Sequence, residues 1–127
     1  MSQILKGKKA LIVEDSPFTR KRLRQLFESL GFLIDTASDG EEGLAQCNKT
    51  QYDLIFTDIE MPLLDGISMA RKIKSVPKLS HIPILFNSSL SNPVLISDIE
   101  KEQLGRYLIK EDLKAIQSEI EAVFYPK

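Results

Sequence analysis

The chain has 127 residues, 43% hydrophobic and 28% charged, with a formal net charge of -1. That is enough apolar material for one domain with a real core, and it gives no global attraction to nucleic acid or to an anionic membrane. No apolar run is long enough to cross a bilayer, Met1 to Lys9 lacks a signal-peptide pattern, and the one cysteine, Cys47, rules out an internal disulfide and suits a reducing, cytoplasmic setting.

Ala10 to Val13 is an apolar run that ends in Glu14 and Asp15, and it reads as a buried strand. Ser16 is a good helix cap, Pro17 suits the first helical position, and Leu23, Leu26, Phe27 and Leu30 form one apolar stripe. Gly31 is placed to end this helix in a left-handed turn. Phe32 to Thr36 reads as the second strand, and Glu41 to Asn48 as a short helix with Leu44 and Cys47 inward. Tyr52 to Thr57 reads as the third strand, followed directly by Asp58 and the loop "MPLLDG". Ile67 to Val76 is a helix with Ile67, Ala70 and Ile73 inward, and "IPILFN" a fourth strand. Asn92 and Pro93 open a fourth helix ended by Gly105, "RYLI" is a fifth strand, and Leu113, Ile116, Ile120 and Val123 mark a last amphipathic helix.

Strand and helix alternate five times. This implies an α/β fold, a doubly wound parallel sheet with helices on both faces and right-handed crossovers. The central strands are continuously apolar, as strands covered on both faces must be. Ligands bind such sheets at the C-terminal ends of the strands, beside the switch in strand order. Strands one and three flank that switch, so Glu14, Asp15 and Asp58 converge in one crevice. Like charges at close range need a cation or a proton. An all-oxygen cluster suits magnesium better than zinc. Lys110 follows the fifth strand and Ser88 the fourth, so an ammonium and a hydroxyl reach the same mouth. Together these groups suit a phosphoryl group, with a carboxylate as its nucleophile.

The motifs "IVEDSP", "FTDIEMPLLDG", "NSS" and "YLIK" resemble the receiver domain of two-component response regulators, the CheY-like family, from about Gly7 to Phe124. The resemblance implies a flavodoxin-like (βα)5 three-layer sandwich with sheet order 2-1-3-4-5, as one receiver domain over residues 1–127. It implies that Asp58 is phosphorylated and that Glu14, Asp15, Asp58 and the backbone carbonyl of Glu60 organise Mg2+. Ser88 takes the place of the switch hydroxyl, Tyr107 of the switch aromatic, and Lys110 of the phosphate-binding lysine. The implied partners are a histidine kinase or phosphotransfer protein upstream and an output protein downstream. Phosphorylation would change the surface formed by helix four, strand five and helix five. The domain would catalyse its own phosphorylation without being a turnover enzyme.

"FNSSLS" and the lack of proline after Lys110 are similar to the receiver of chemotaxis coupling proteins, which implies a role in chemotaxis. Those proteins usually carry an adaptor domain before the receiver, so this chain is either a stand-alone receiver or a piece of a longer protein. With Glu111 in the place of proline, the Lys110–Glu111 bond is expected to be trans, because a cis bond without proline costs about 2.5–4 kcal/mol.

Each residue also has a duller reading. Asp58 alone would be a turn aspartate, Lys110 a solvated lysine, and the serines at 88 and 89 local backbone caps. Their joint register favours chemistry. Tyr107 rests on the resemblance alone. The basic run Arg20, Lys21, Arg22, Arg24 reads first as a solvated face and second as a dock for an acidic partner. His81 reads as a surface residue, Cys47 as core, and "GISMA" is discounted as a nucleophile elbow because it follows a loop and not a strand. The rivals are a phosphatase with an aspartyl nucleophile and a degenerate receiver that acts as an interaction module.

Overall fold

A computed structural model describes residues 5–87, 93–108 and 113–125. In chain order the elements are β1 (Lys9–Val13), α1 (Pro17–Ser29), β2 (Leu33–Ala37), α2 (Gly40–Lys49), β3 (Leu54–Asp58), α3 (Gly66–Ser75), β4 (Ile84–Asn87), α4 (Pro93–Lys101), β5 (Arg106–Leu108) and α5 (Leu113–Phe124). The five strands form one sheet in the order β2-β1-β3-β4-β5, and every pairing is parallel.

Period-two alternation sorts the strand side chains onto two faces. Leu11, Val13, Ile55, Ile84 and Phe86 pack with Ile67, Ala70, Ile73 and Ile99 from α3 and α4. Ala10, Ile12, Leu54, Phe56 and Leu85 pack with Leu23 and Phe27 of α1 and Ile116 and Ile120 of α5. On that second face, the Phe27 ring meets Phe56 edge-on at 5.2 Å and Phe32 at 5.6 Å between centroids. The expected first helix forms as read: the Ser16 hydroxyl accepts the Thr19 N–H at 3.3 Å, and Gly31 takes a left-handed φ of 104°.

Most elements lie within a residue or so of the expected bounds, and the larger differences are at β3 and at the end of the fourth helix. β3 starts at Leu54, because Asp53 closes the start of β1 instead: its carboxylate accepts the Lys9 N–H at 2.8 Å. At its other end β3 takes in Asp58, which pairs with Asn87. The fourth helix stops at Lys101, and Gly105 does not end it. Gln103 takes the left-handed position, with φ 54°. The Leu104 N–H reaches the Ile99 carbonyl at 3.0 Å and the Gln103 N–H reaches that of Glu100 at 3.2 Å, which is a Schellman cap clinched by buried Ile99 and Leu104. Gly105 answers a different need, since a Cβ there would lie 2.1 Å from the Ile84 carbonyl oxygen.

The fourth helix buries only Ile99 fully; Leu95 and Ile96 are half-buried and Val94 is 67% exposed. No described helix is long and apolar enough to cross a membrane.

Candidate functional site

The site lies at the C-terminal edge of β1 and β3. The Glu14 N–H donates to the Ala37 carbonyl at 2.9 Å, which extends the β1–β2 ladder one residue past the strand. This ties the side chain of Glu14 down over the sheet, where it is 4% exposed. Its Oε2 accepts the Ser16 N–H at 2.8 Å, while its main-chain carbonyl accepts from Arg20 Nη1 at 2.8 Å. Arg20 therefore braces the β1–α1 turn and is not simply part of a solvated face. Lys21, Arg22 and Arg24 remain exposed.

Asp58 is half-buried, and its Oδ1 accepts the Ile59 N–H at 2.9 Å. Buried Thr57 donates its hydroxyl to the Asp58 carbonyl at 2.8 Å. The loop after Asp58 is tied at both ends. The Gly66 N–H donates to the Ile59 carbonyl at 2.9 Å, and the Leu64 carbonyl accepts from Gly40 at 3.0 Å. Leu63, at the loop's tip, has a φ of 66° and sits inside a tight turn in which the Leu64 N–H reaches the Pro62 carbonyl at 2.8 Å. A Cβ on Gly66 would stand 2.2 Å from the Asp58 carbonyl oxygen, so only glycine lets α3 begin this close to the site.

One carboxylate oxygen each from Glu14, Asp15 and Asp58 lie within 4.8 Å of one another. The expected convergence of these three acids is what the fold produces. Burial pushes the Glu14 carboxyl from 4.5 up to about 7; the neighbouring Asp58 and Asp15 add to the rise, and the Ser16 N–H works against it. The donor set is entirely hard oxygen, which fits Mg2+, and a divalent cation would offset the clustered negative charge.

Glu60 lies two residues beyond Asp58 with its side chain exposed, and it is not one of the three clustered carboxylates. Tyr107 pairs with Phe86 in β5 and is half-buried against the α3–α4 side of the core. Ser88, Ser89 and Lys110 lie outside the described residues, as do the helix cap Asn92 and the Lys110–Glu111 bond. Sequence reading missed two polar groups here. Arg20 looked like one of a run of cations. Asn87, 2% exposed, looked like the polar end of a strand; its signal was that it holds the same alternating position on β4 that Asp58 holds on β3.

A family model described as the response regulator receiver domain matches residues 10–121. Among curated proteins, the gliding motility regulatory protein of Myxococcus xanthus is 44% identical over 85 residues, 67% of this chain and 11% of that protein. The chemotaxis protein CheV3 of Helicobacter pylori is 30% identical over 123 residues, 89% of this chain and 40% of that protein. The chain thus spans well under half the length of both relatives. Among solved structures, the CheX–CheY–BeF3–Mg2+ complex from Borrelia burgdorferi contains a chain 32% identical, with a TM-score of 0.86 and coverage of 94% of this chain and 90% of that one. The receiver domain of a sensor histidine kinase from Pseudomonas aeruginosa, with a magnesium ion coordinated in its active-site cleft, is 28% identical with a TM-score of 0.76, covering 91% and 95%.

Proposed function

The chain belongs to the response regulator receiver domain family, and from that premise we propose that Asp58 is its phospho-acceptor and that Glu14, Asp15 and Asp58, with the Glu60 carbonyl, hold Mg2+. The observation that carries this reading is the meeting of three carboxylate oxygens within 4.8 Å at the ends of neighbouring parallel strands. When bound, magnesium neutralises charge on the incoming phosphoryl group.

The chain's own residues do the rest. An Asp58 carboxylate oxygen attacks phosphorus while the bond from phosphorus to the donor's imidazole nitrogen breaks. That nitrogen leaves with the electron pair, and the imidazole regains its proton balance from solvent. The Ile59 N–H holds Asp58 Oδ1, which fixes the carboxylate's rotation. Ser88 and Lys110 supply the hydroxyl and ammonium that pair with the new phosphoryl oxygens. The added charge then shifts a two-state equilibrium, read out on the α4–β5–α5 face that includes Tyr107. A histidine kinase or phosphotransfer protein is the donor, an output protein in a chemotaxis-type system the reader, and the cytoplasm the setting. The domain promotes its own phosphorylation and turns over no separate substrate.

Calorimetric titration with Mg2+ tests the metal assignment. Binding should be weak and should be lost in Asp15→Asn. Unchanged affinity in that variant would defeat the assignment.

A further inference from the structure

The α1–α5 face of the sheet carries a polar row at its C-terminal edge. Along β1, Ala10 and Ile12 face α1 and α5; two residues on, the same alternation gives Glu14. Along β3, Leu54 and Phe56 lead to Asp58 in the same way. Along β4, Leu85 leads to Asn87. Asp58 and Asn87 are partners in the β3–β4 register, so their side chains are adjacent on one face. Asn87 is 2% exposed, and its Oδ1 has no hydrogen-bond partner among the described residues. Apart from Glu14 and Thr57, it is the buried polar residue of the described core.

A buried carboxamide oxygen without a donor is costly, and native cores rarely retain one without a reason. A leucine would have the same branched shape with no polar atom to satisfy. A carboxamide carries both an acceptor and an N–H2 donor, and it turns end for end by rotation about one bond. Turned end for end, it presents its N–H2 where the unpartnered oxygen stands and can donate to an oxygen of an incoming phosphoryl group. On the reading of Asp58 as acceptor, we propose that the Asn87 carboxamide is a hydrogen-bonding element of the phosphoryl site, unsatisfied while Asp58 is bare and satisfied once Asp58 carries its phosphoryl group. The cost borne by the bare state becomes a bias toward the loaded one. The duller alternative is that Asn87 is already satisfied in the bare state, by a trapped water or otherwise, and only holds the strand end together.

The two accounts differ in sign. Asn87→Leu and the smaller Asn87→Val are compared with the unaltered chain in two measurements. The first is urea denaturation of the metal-free protein; the second is beryllofluoride affinity at saturating Mg2+, by calorimetry. The expected result is a higher urea midpoint for at least one variant, together with a beryllofluoride affinity lowered by roughly tenfold, as loss of one hydrogen bond to a charged group implies. Affinity for Mg2+ alone should not change, because Asn87 is not among the clustered carboxylates. A lower midpoint in both variants would mean that the amide was already satisfied, and the proposal falls. It also falls if beryllofluoride affinity is unchanged. Asp58→Asn is the control: if the unaltered chain binds beryllofluoride and Asp58→Asn does not, a negative result with Asn87 overturns this inference alone. If the unaltered chain binds none, the Asp58 reading and this inference fall together.

Discussion

Replacing Glu14 by glutamine isolates the electrostatic cost built into the site. Glutamine keeps the shape and an acceptor oxygen for the Ser16 N–H but cannot ionise. The Glu14 carboxyl is pushed from 4.5 up to about 7, chiefly by burial and then by Asp58 and Asp15. A carboxyl whose folded value is raised stabilises the fold fully below its unfolded value, and that contribution is lost as pH rises through the folded value. The window here therefore runs from 4.5 to about 7. Across it, the metal-free protein should lose at most about 3 kcal/mol to this group. Near the middle of the window the native state binds almost one more proton at Glu14 than the unfolded chain, a slope of about 1.2 kcal/mol per pH unit. Other carboxylates contribute slopes of their own, so the quantity to measure is the difference between Glu14→Gln and the unaltered chain. Urea denaturation in EDTA should find the two nearly equal near about pH 4 and the variant more stable by roughly 2–3 kcal/mol near about pH 8. Saturating Mg2+ should remove most of the gap at the higher pH, since the cation offsets the same charge. A pH-independent difference would refute the assignment of the cost to ionised Glu14.

Arg20→Met should loosen the β1–α1 turn and weaken Mg2+ binding by about three- to tenfold, a part of the roughly 1.5–3 kcal/mol of a hydrogen bond from a charged donor, since Arg20 acts on the site only through the turn, and calorimetry would show it; the control Arg24→Met should bind as the unaltered chain does. Gly66→Ala should destabilise by about 2 kcal/mol or more, because its Cβ would stand 2.2 Å from the Asp58 carbonyl oxygen, and a lowered urea midpoint would show it. Burial raises the Cys47 thiol to about 11, so a thiol reagent at mildly alkaline pH should label Cys47 slowly in the native state and rapidly in urea. Phe56→Ala removes a ring that is 1% exposed and packed edge-on against Phe27, and it should cost about 3–5 kcal/mol by urea denaturation.

Much of this molecule is written in local signals. Ser16 followed by Pro17, and Gly31 after Leu30, set both ends of α1, because caps act through the residues beside them. The apolar run into Glu14 and the run into Asp58 gave the convergence of the acids, since parallel strands next to one another bring their C-terminal ends together. What the chain hid depends on partners distant in sequence. Gln103 takes a left-handed turn that composition assigns to Gly105, because Ile99 and Leu104 clinch the cap while Gly105 must clear the Ile84 carbonyl. Arg20 is unremarkable among four cations until its reach to the Glu14 carbonyl is seen. Asn87 gains meaning only from the register that sets it beside Asp58.

The central claim is that Asp58 receives a phosphoryl group. Intact-mass spectrometry after incubation with acetyl phosphate and Mg2+ tests it most directly, comparing the unaltered chain with Asp58→Asn and with an EDTA control. The account requires one added phosphoryl mass on the unaltered chain, none on Asp58→Asn, and none in EDTA. The same added mass on Asp58→Asn would contradict it.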